Sequence, residues 1–329
     1  MSNKELLKAL DTYVTGHTTA KKALINLLNR SKIRHYQKWL AMESKEALIP
    51  PGKCLLIGAS GTGKTFLVES LQKIIDFPLI RIDATRLTLT SAGDGIKSSH
   101  IYDMIYQNAL HLSSLKNGYW HSVEGVIDQT VLFIDEIDKL AWGAAGEKDA
   151  WNKRVQSNFL QIFENKEELA GVSFIFAGAF SGMTRESTTS GSIGFHSKQN
   201  KVKTEDMLDE LVVKYGLIPE LVGRISSIVE LDKFTRDDFR NILLNTLIPK
   251  KIEELIYFNC ADFELSGEQI ETILDKAEAS GQGVRFLKRE LDKLLVDVEF
   301  NYEEGQDGPR LLLGNLIDHY GDASDGEGY

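Results

Sequence analysis

Eight consecutive residues, Gly58-Ala59-Ser60-Gly61-Thr62-Gly63-Lys64-Thr65, constrain this chain more than any other feature. They fit G-x-x-x-x-G-K-[ST], a pattern that carries meaning only between a strand and a helix. The short apolar run Cys54-Leu55-Leu56-Ile57 before them reads as a buried parallel strand. Phe66, Leu67 and Leu71 after them recur at helical spacing, so the loop opens a helix. Glycines in such a loop let backbone N–H groups converge on phosphate oxygens, and the helix N-terminus adds its positive end. Gly58 to Thr65, with Phe66 following, therefore reads as a nucleotide-phosphate cradle. Lys64 is expected to reach the β- and γ-phosphates, and the Thr65 hydroxyl to take a place on Mg²⁺.

A cradle of this kind needs a partner that holds the metal and readies a water. Val131-Leu132-Phe133-Ile134 followed by Asp135-Glu136 has that form, a strand-like run ending in two acids. At the C-terminal end of a parallel strand both acids reach the crevice where ligands bind. Asp135 is expected to hold Mg²⁺ through its water shell, and Glu136 to orient and activate the attacking water. The reading is a Mg²⁺–ATP site that hydrolyses its nucleotide.

Further apolar runs at 79–82 and 174–177, with helical patterns between most of the runs, predict a parallel sheet wrapped by helices: an α/β fold. Residues 1–50 read as a helical lead-in built on Leu6, Leu7, Leu10, Ala23, Leu24, Leu27 and Leu28. After Arg224 the pattern turns helical, with faces Phe239/Ile242/Leu243/Leu247, Ile270/Ile273/Leu274 and Phe286/Leu287/Leu291/Leu294, closed by a strand-like Arg310-Leu311-Leu312-Leu313. The expected division is 1–230 for the large α/β domain, 231–315 for a smaller, mostly helical domain, and 316–329 for a flexible acidic tail. Ser181 to Lys203 is rich in Gly, Ser and Thr and reads as a long surface loop, of a length that is usually either functional or disordered.

The formal charge of −10 over 329 residues argues against a general nucleic-acid surface. Basic residues do gather between Lys21 and Lys38, where a solvated helix face is the ordinary reading. Two cysteines, Cys54 and Cys260, build neither a disulfide framework nor a zinc cluster, and Cys54 reads as a small core residue. The absence of a signal peptide and of a membrane-length apolar run predicts a cytoplasmic protein with no membrane partner.

Taken as residues alone, Arg224 and Arg285 are arginines near glycines, with salt bridges the ordinary reading. Their surroundings change that. From about residue 11 to about 300 the chain resembles an AAA+ ATPase of the ClpX/HslU kind, the unfoldase rings that feed a proteolytic chamber. Ile134-Asp135-Glu136-Ile137-Asp138-Lys139 is similar to that family's Walker B text letter for letter. Gly216-Leu217-Ile218-Pro219-Glu220-Leu221-Val222-Gly223-Arg224 resembles the stretch that ends in the arginine finger. The resemblance implies that Arg224 acts on the ATP of a neighbouring subunit. Gly283-Val284-Arg285 is similar to the second-sensor motif, which implies that Arg285 faces the same subunit's γ-phosphate. Leu10 to His17 resembles the segment that wraps the adenine, making Tyr13 and Val14 candidate base-pocket residues. Ala177-Gly178-Ala179-Phe180 resembles the strand and loop of the first sensor, without an Asn or Thr at an obvious sensor position. Ile193-Gly194-Phe195 lies where ClpX carries the tripeptide that docks into ClpP. It reads either as a peptidase-docking anchor or as a segment packed on its own domain.

The sequence also departs from that family. Its zinc-binding N-terminal domain has no counterpart, so recognition through it is not expected. The pore-loop stretch Thr90 to Lys97 keeps Gly93 and Gly95 but has no aromatic residue. The family's long insertion is reduced to a short turn, Glu164 to Gly171. Trp142 and Trp151 flank a second candidate pore loop and read either as a replacement grip or as interface or core anchors. The resulting expectation is a homo-oligomeric, hexameric ring that unfolds or remodels a protein substrate, with or without a ClpP-type peptidase as a partner. The alternative is an AAA+ switch acting on a dedicated partner without threading; a DNA-associated AAA+ factor ranks behind both.

Overall fold

The computed structural model describes residues 1–40, 48–87, 98–115, 122–141, 147–164, 169–181, 212–255 and 264–300. Thr90 to Lys97, Trp142, the Ile193-Gly194-Phe195 tripeptide, Cys260, Arg310 to Leu313 and the tail lie outside them, as does the side chain of Trp151.

Contacts divide the chain into two compact units, Met1–Ala59 with Lys64–Leu231, and Ser60–Gly63 with the residues from Asp232 onward. The first is built on five parallel strands: β1 (Lys53–Ile57), β2 (Leu79–Asp83), β3 (Val131–Asp135), β4 (Ser173–Gly178) and β5 (Ser227–Glu230), in the order β2-β3-β4-β1-β5. Period-two alternation sends each strand's side chains to two separate cores. On one face Leu55, Ile57, Ile80, Ile82, Leu132, Ile134, Phe174 and Phe176 pack with residues of α4 (Ser98–Ser114), α5 (Val123–Gln129) and α6 (Glu147–Glu164). On the other, Cys54, Leu56, Val131, Phe133, Ile175 and Ala177 meet α1 (Asn3–Tyr13), α2 (Thr18–Leu40) and α3 (Lys64–Ile74). A sheet covered on both faces explains why β1, β3 and β4 read as unbroken apolar runs.

Two expectations need correction. The chain does not turn purely helical after Arg224: β5 comes first and pairs with β1. Its brevity, with only Ile228 and Val229 apolar between Ser227 and Glu230, gave no run to read. Nor is the basic stretch wholly a solvated face, although Lys22 and Lys32 are exposed. Lys21 is buried and donates to Asp11 and the Val14 carbonyl, Arg34 donates to the Ile49 carbonyl, Arg30 to the Pro50 carbonyl, and Lys38 pairs with Asp128 at 2.6 Å. These cations tie α2 to its own unit. Cys54 is a core residue, and burial pushes its thiol up to about 11.

The second unit packs Phe239, Ile242, Leu243, Leu255, Ile273, Leu274, Phe286, Leu287 and Leu291 into one core. These come from helices Arg236–Ile242, Ile248–Leu255, Gly267–Ser280 and Val284–Phe300 and, for Leu243, from the turn between the first two. Between the first two, Leu243–Leu247 widens into a π-helical turn, with the Ile248 N–H reaching back to the Leu243 carbonyl. Pro249 supplies the reason: it has no N–H, and its ring clashes with the carbonyl four residues earlier in a regular α-helix.

Candidate nucleotide site

In the first unit, β1 delivers the loop at the sheet's C-terminal edge, where parallel sheets place their ligands. The Gly58 N–H donates to the Gly178 carbonyl at 3.3 Å, which fixes the start of the loop against the end of β4. Lys64 opens α3 almost fully buried, and its Nζ donates to the Gly58 carbonyl and, at 3.0 Å, to the Ala59 carbonyl. The ammonium is thus held over the loop's own backbone. Phe66, two residues further on, is exposed.

The end of β3 meets this loop directly. Thr65 Oγ1 donates to Asp135 Oδ2 at 2.8 Å, although 70 residues separate them. Asp135 Oδ1 accepts the Glu136 N–H at 3.0 Å. Glu136 itself takes the left-handed backbone conformation (φ 56°, ψ 34°), sparsely populated for a non-glycine residue, and its side chain is exposed. Strain of this kind clusters at functional positions. Next along, Asp138 is buried and accepts the Ala179 N–H at 3.1 Å, linking the turn after β3 to the loop after β4. A Cβ on Gly178 would come within 2.4 Å of the Phe180 ring and 2.9 Å of Asp138, so only glycine fits this crossing. Phe180 also has a positive φ and packs edge-on to Tyr215.

Thr65 and Asp135 present hard oxygen donors, the chemistry that Mg²⁺ takes. Among the described residues no group of three or more His, Cys, Asp or Glu could cage a metal by itself.

Two side chains that the sequence reading passed over belong to this neighbourhood. Arg81, in the middle of β2, donates to Asp135 Oδ2 at 2.9 Å and to Glu69 at 3.1 Å. The signal was visible as a cation interrupting the run Leu79-Ile80-Arg81-Ile82. Gln156, fully buried on α6, donates to the carbonyls of Leu140 (2.6 Å) and Gly216 (3.1 Å) and accepts the Ile218 N–H (2.8 Å). It clamps the turn after β3 to the segment that leads to Arg224. A lone glutamine in a helix gave no such signal.

Arg224 follows the short helix Pro219–Val222 and is exposed; burial, and after it the Arg224 charge, holds the Lys53 ammonium below its usual pKa. Val14 is buried in the core, whereas Tyr13 is 51 % exposed. The structure therefore brings Lys64, Thr65, Asp135 and Glu136 together and leaves Tyr13 and Arg224 facing outward.

In the second unit, the loop tip meets the start of helix Val284–Phe300. Arg285 donates to Ser60 Oγ at 2.8 Å, and the Val284 N–H donates to the Gly61 carbonyl at 3.1 Å. Gly61 has φ +82°, and a Cβ there would lie 2.2 Å from the Gln282 carbonyl oxygen. Gly61 therefore meets two requirements that a side chain would violate, a left-handed backbone and a close approach.

Residues 54–190 match the family described as "ATPase family associated with various cellular activities (AAA)". Nearly the whole chain is similar to proteins named "ATP-dependent Clp protease ATP-binding subunit ClpX". The one from Treponema denticola is 29% identical, over 95% of this chain and 80% of its own length. Those from two strains of Porphyromonas gingivalis are 25% identical, over 92% of this chain and 78% of theirs.

Proposed function

From the premise that this chain is a ClpX-like AAA+ ATPase, we propose that it hydrolyses Mg²⁺–ATP in a hexameric ring of its own copies, in the cytoplasm, and couples hydrolysis to the unfolding or remodelling of a protein substrate. The observation that carries this reading is the 2.8 Å contact between Thr65 and Asp135, with Glu136 strained beside it. Bound Mg²⁺ would supply charge neutralisation between the β- and γ-phosphates, held by Thr65 and Asp135. The Gly58 to Thr65 backbone would bind the phosphates, and Lys64 Nζ would exchange its two loop carbonyls for phosphate oxygens. Glu136 would orient the attacking water and accept its proton. Arg224 would stabilise the transition-state charge in the neighbouring copy, a contribution of roughly 10³–10⁵ in rate when supplied in trans. Arg285 would face the γ-phosphate of its own copy, and Tyr13 and Val14 would line the adenine pocket. Ile193-Gly194-Phe195 would dock a ClpP-type peptidase.

A second reading, a switch that remodels one dedicated partner without threading, is favoured by the missing aromatic in Thr90 to Lys97. Both readings are tested by ATP-dependent degradation of a tagged, unfolded protein in the presence of ClpP, with Glu136→Gln and Phe195→Ala as controls. Degradation lost in both variants supports threading into a peptidase. Brisk hydrolysis with no degradation supports the switch, and no hydrolysis overturns both.

A further inference from the structure

Arg81 has no part in the nucleotide chemistry just proposed, yet its guanidinium lies on the carboxylate most central to it. The register explains why. Arg81 stands opposite Phe133 and Asp83 opposite Asp135, so Arg81 and Asp135 are diagonal neighbours on one face of the sheet, within reach of a long side chain. One guanidinium nitrogen donates to Asp135 Oδ2 at 2.9 Å and the other to Glu69 on α3 at 3.1 Å, while the group rests over the Phe133 ring, 5.8 Å from its centroid. Asp135 Oδ2 thus accepts from both Thr65 and Arg81, and Oδ1 accepts the Glu136 N–H. A hydrated metal ion docking on Oδ2 has to share or displace the guanidinium. The Arg81 side chain is half exposed, so it has room to move, and Glu69 offers its other nitrogen a second carboxylate.

We propose that Arg81 is a built-in counter-ion that competes with Mg²⁺ for Asp135, with Glu69 as its alternative partner, so that this residue pair sets how much Mg²⁺ the site needs to hold nucleotide. The inference rests on the nucleotide-site reading above. Arg81 acts through Asp135 and is a positioning residue. Two cations on one carboxylate oxygen oppose each other, and a half-exposed ion pair supports an effect of roughly three- to fivefold on the competing ion.

The test is a Mg²⁺ titration of the binding of a fluorescent ADP analogue, mant-ADP, to the full chain, read as the Mg²⁺ concentration at half-saturation. Arg81→Met should lower that midpoint roughly three- to fivefold. Arg81→Lys, which keeps the charge, should restore most of the wild-type value. Glu69→Gln removes the alternative partner and should raise the midpoint, a shift of opposite sign that general loosening does not produce. If nucleotide still binds and neither Arg81→Met nor Glu69→Gln moves the midpoint, the inference is overturned. If the wild-type chain binds no mant-ADP at any Mg²⁺ concentration, the nucleotide-site reading falls, and this one with it.

Discussion

Replacing Gln156 by leucine keeps the side chain's approximate size and removes all of its hydrogen bonding. In the wild-type structure that amide is fully buried and joins three backbone groups: the Leu140 and Gly216 carbonyls and the Ile218 N–H. Each lost neutral hydrogen bond costs about 1 kcal/mol, and a buried N–H left without an acceptor costs about 1–3 kcal/mol. The sum is roughly 3–5 kcal/mol. At about 2–4 °C per kcal/mol for a unit of this size, the melting temperature should fall by roughly 10 °C. Function should fall as well, because the freed Gly216 and Ile218 lead straight to Arg224. In a proposed ring whose finger is supplied in trans, turnover should then drop more than ATP affinity. Thermal unfolding followed by circular dichroism, paired with mant-ATP binding and steady-state hydrolysis, measures all three. A melting shift under 2 °C with unchanged turnover would refute the reasoning, since a fully buried three-way clamp cannot be removed so cheaply.

Other predictions follow from single sites. Gly61→Ala sets a Cβ 2.2 Å from the Gln282 carbonyl on a backbone of positive φ; mant-ATP affinity should drop at least tenfold, and an unchanged affinity would contradict the assignment of the loop. Mixing Arg224→Ala with Glu136→Gln, each inactive alone, should recover hydrolysis by completing alternate sites; no recovery at any ratio would count against a finger acting in trans. In the second unit, hydrogen bonds from Arg236 and then Arg240 hold the Glu271 carboxyl below its usual 4.5. A depressed folded-state value means that its stabilisation is complete above the unfolded value and is lost as pH falls through the folded one. Glu271→Gln should therefore lower stability above about pH 4.5 and match wild type in stronger acid; a constant deficit across pH 3–7 would rule this out. With Cys260 replaced by serine, Cys54 should resist iodoacetamide at pH 8 until the chain unfolds, because burial raises its thiol to about 11 and excludes the reagent; rapid labelling of folded protein would show that strand β1 is not in the core.

Strands β1 to β4 and the loop after β1 were readable because each is written in consecutive residues. A strand buried on both faces is an apolar run, and a phosphate loop is a spacing of glycines followed by Lys64 and Thr65. The edge strand β5 was not readable, since four residues with two apolar side chains carry too little pattern. Long-range polar contacts were not readable either. Arg81 and Asp135 are 54 residues apart, and Gln156 and Ile218 are 62 apart, so nothing local marks either pairing. The cations of α2 show the opposite failure. Their clustering suggested a solvated face, but Lys21, Arg30, Arg34 and Lys38 each point to an acceptor supplied by a distant or neighbouring segment. Charge runs state that partners are needed, and only the fold states where they lie.

The central claim, that the Gly58 to Thr65 loop and the Asp135–Glu136 pair form one ATP-hydrolysing site, is tested most directly by measuring ATP binding and hydrolysis together on wild type, Lys64→Ala and Glu136→Gln. The account predicts that wild type binds and hydrolyses, that Lys64→Ala binds at least tenfold more weakly, and that Glu136→Gln binds as wild type while hydrolysis falls by two or more orders of magnitude. Hydrolysis by Glu136→Gln at the wild-type rate, or undiminished ATP binding by Lys64→Ala, would contradict it.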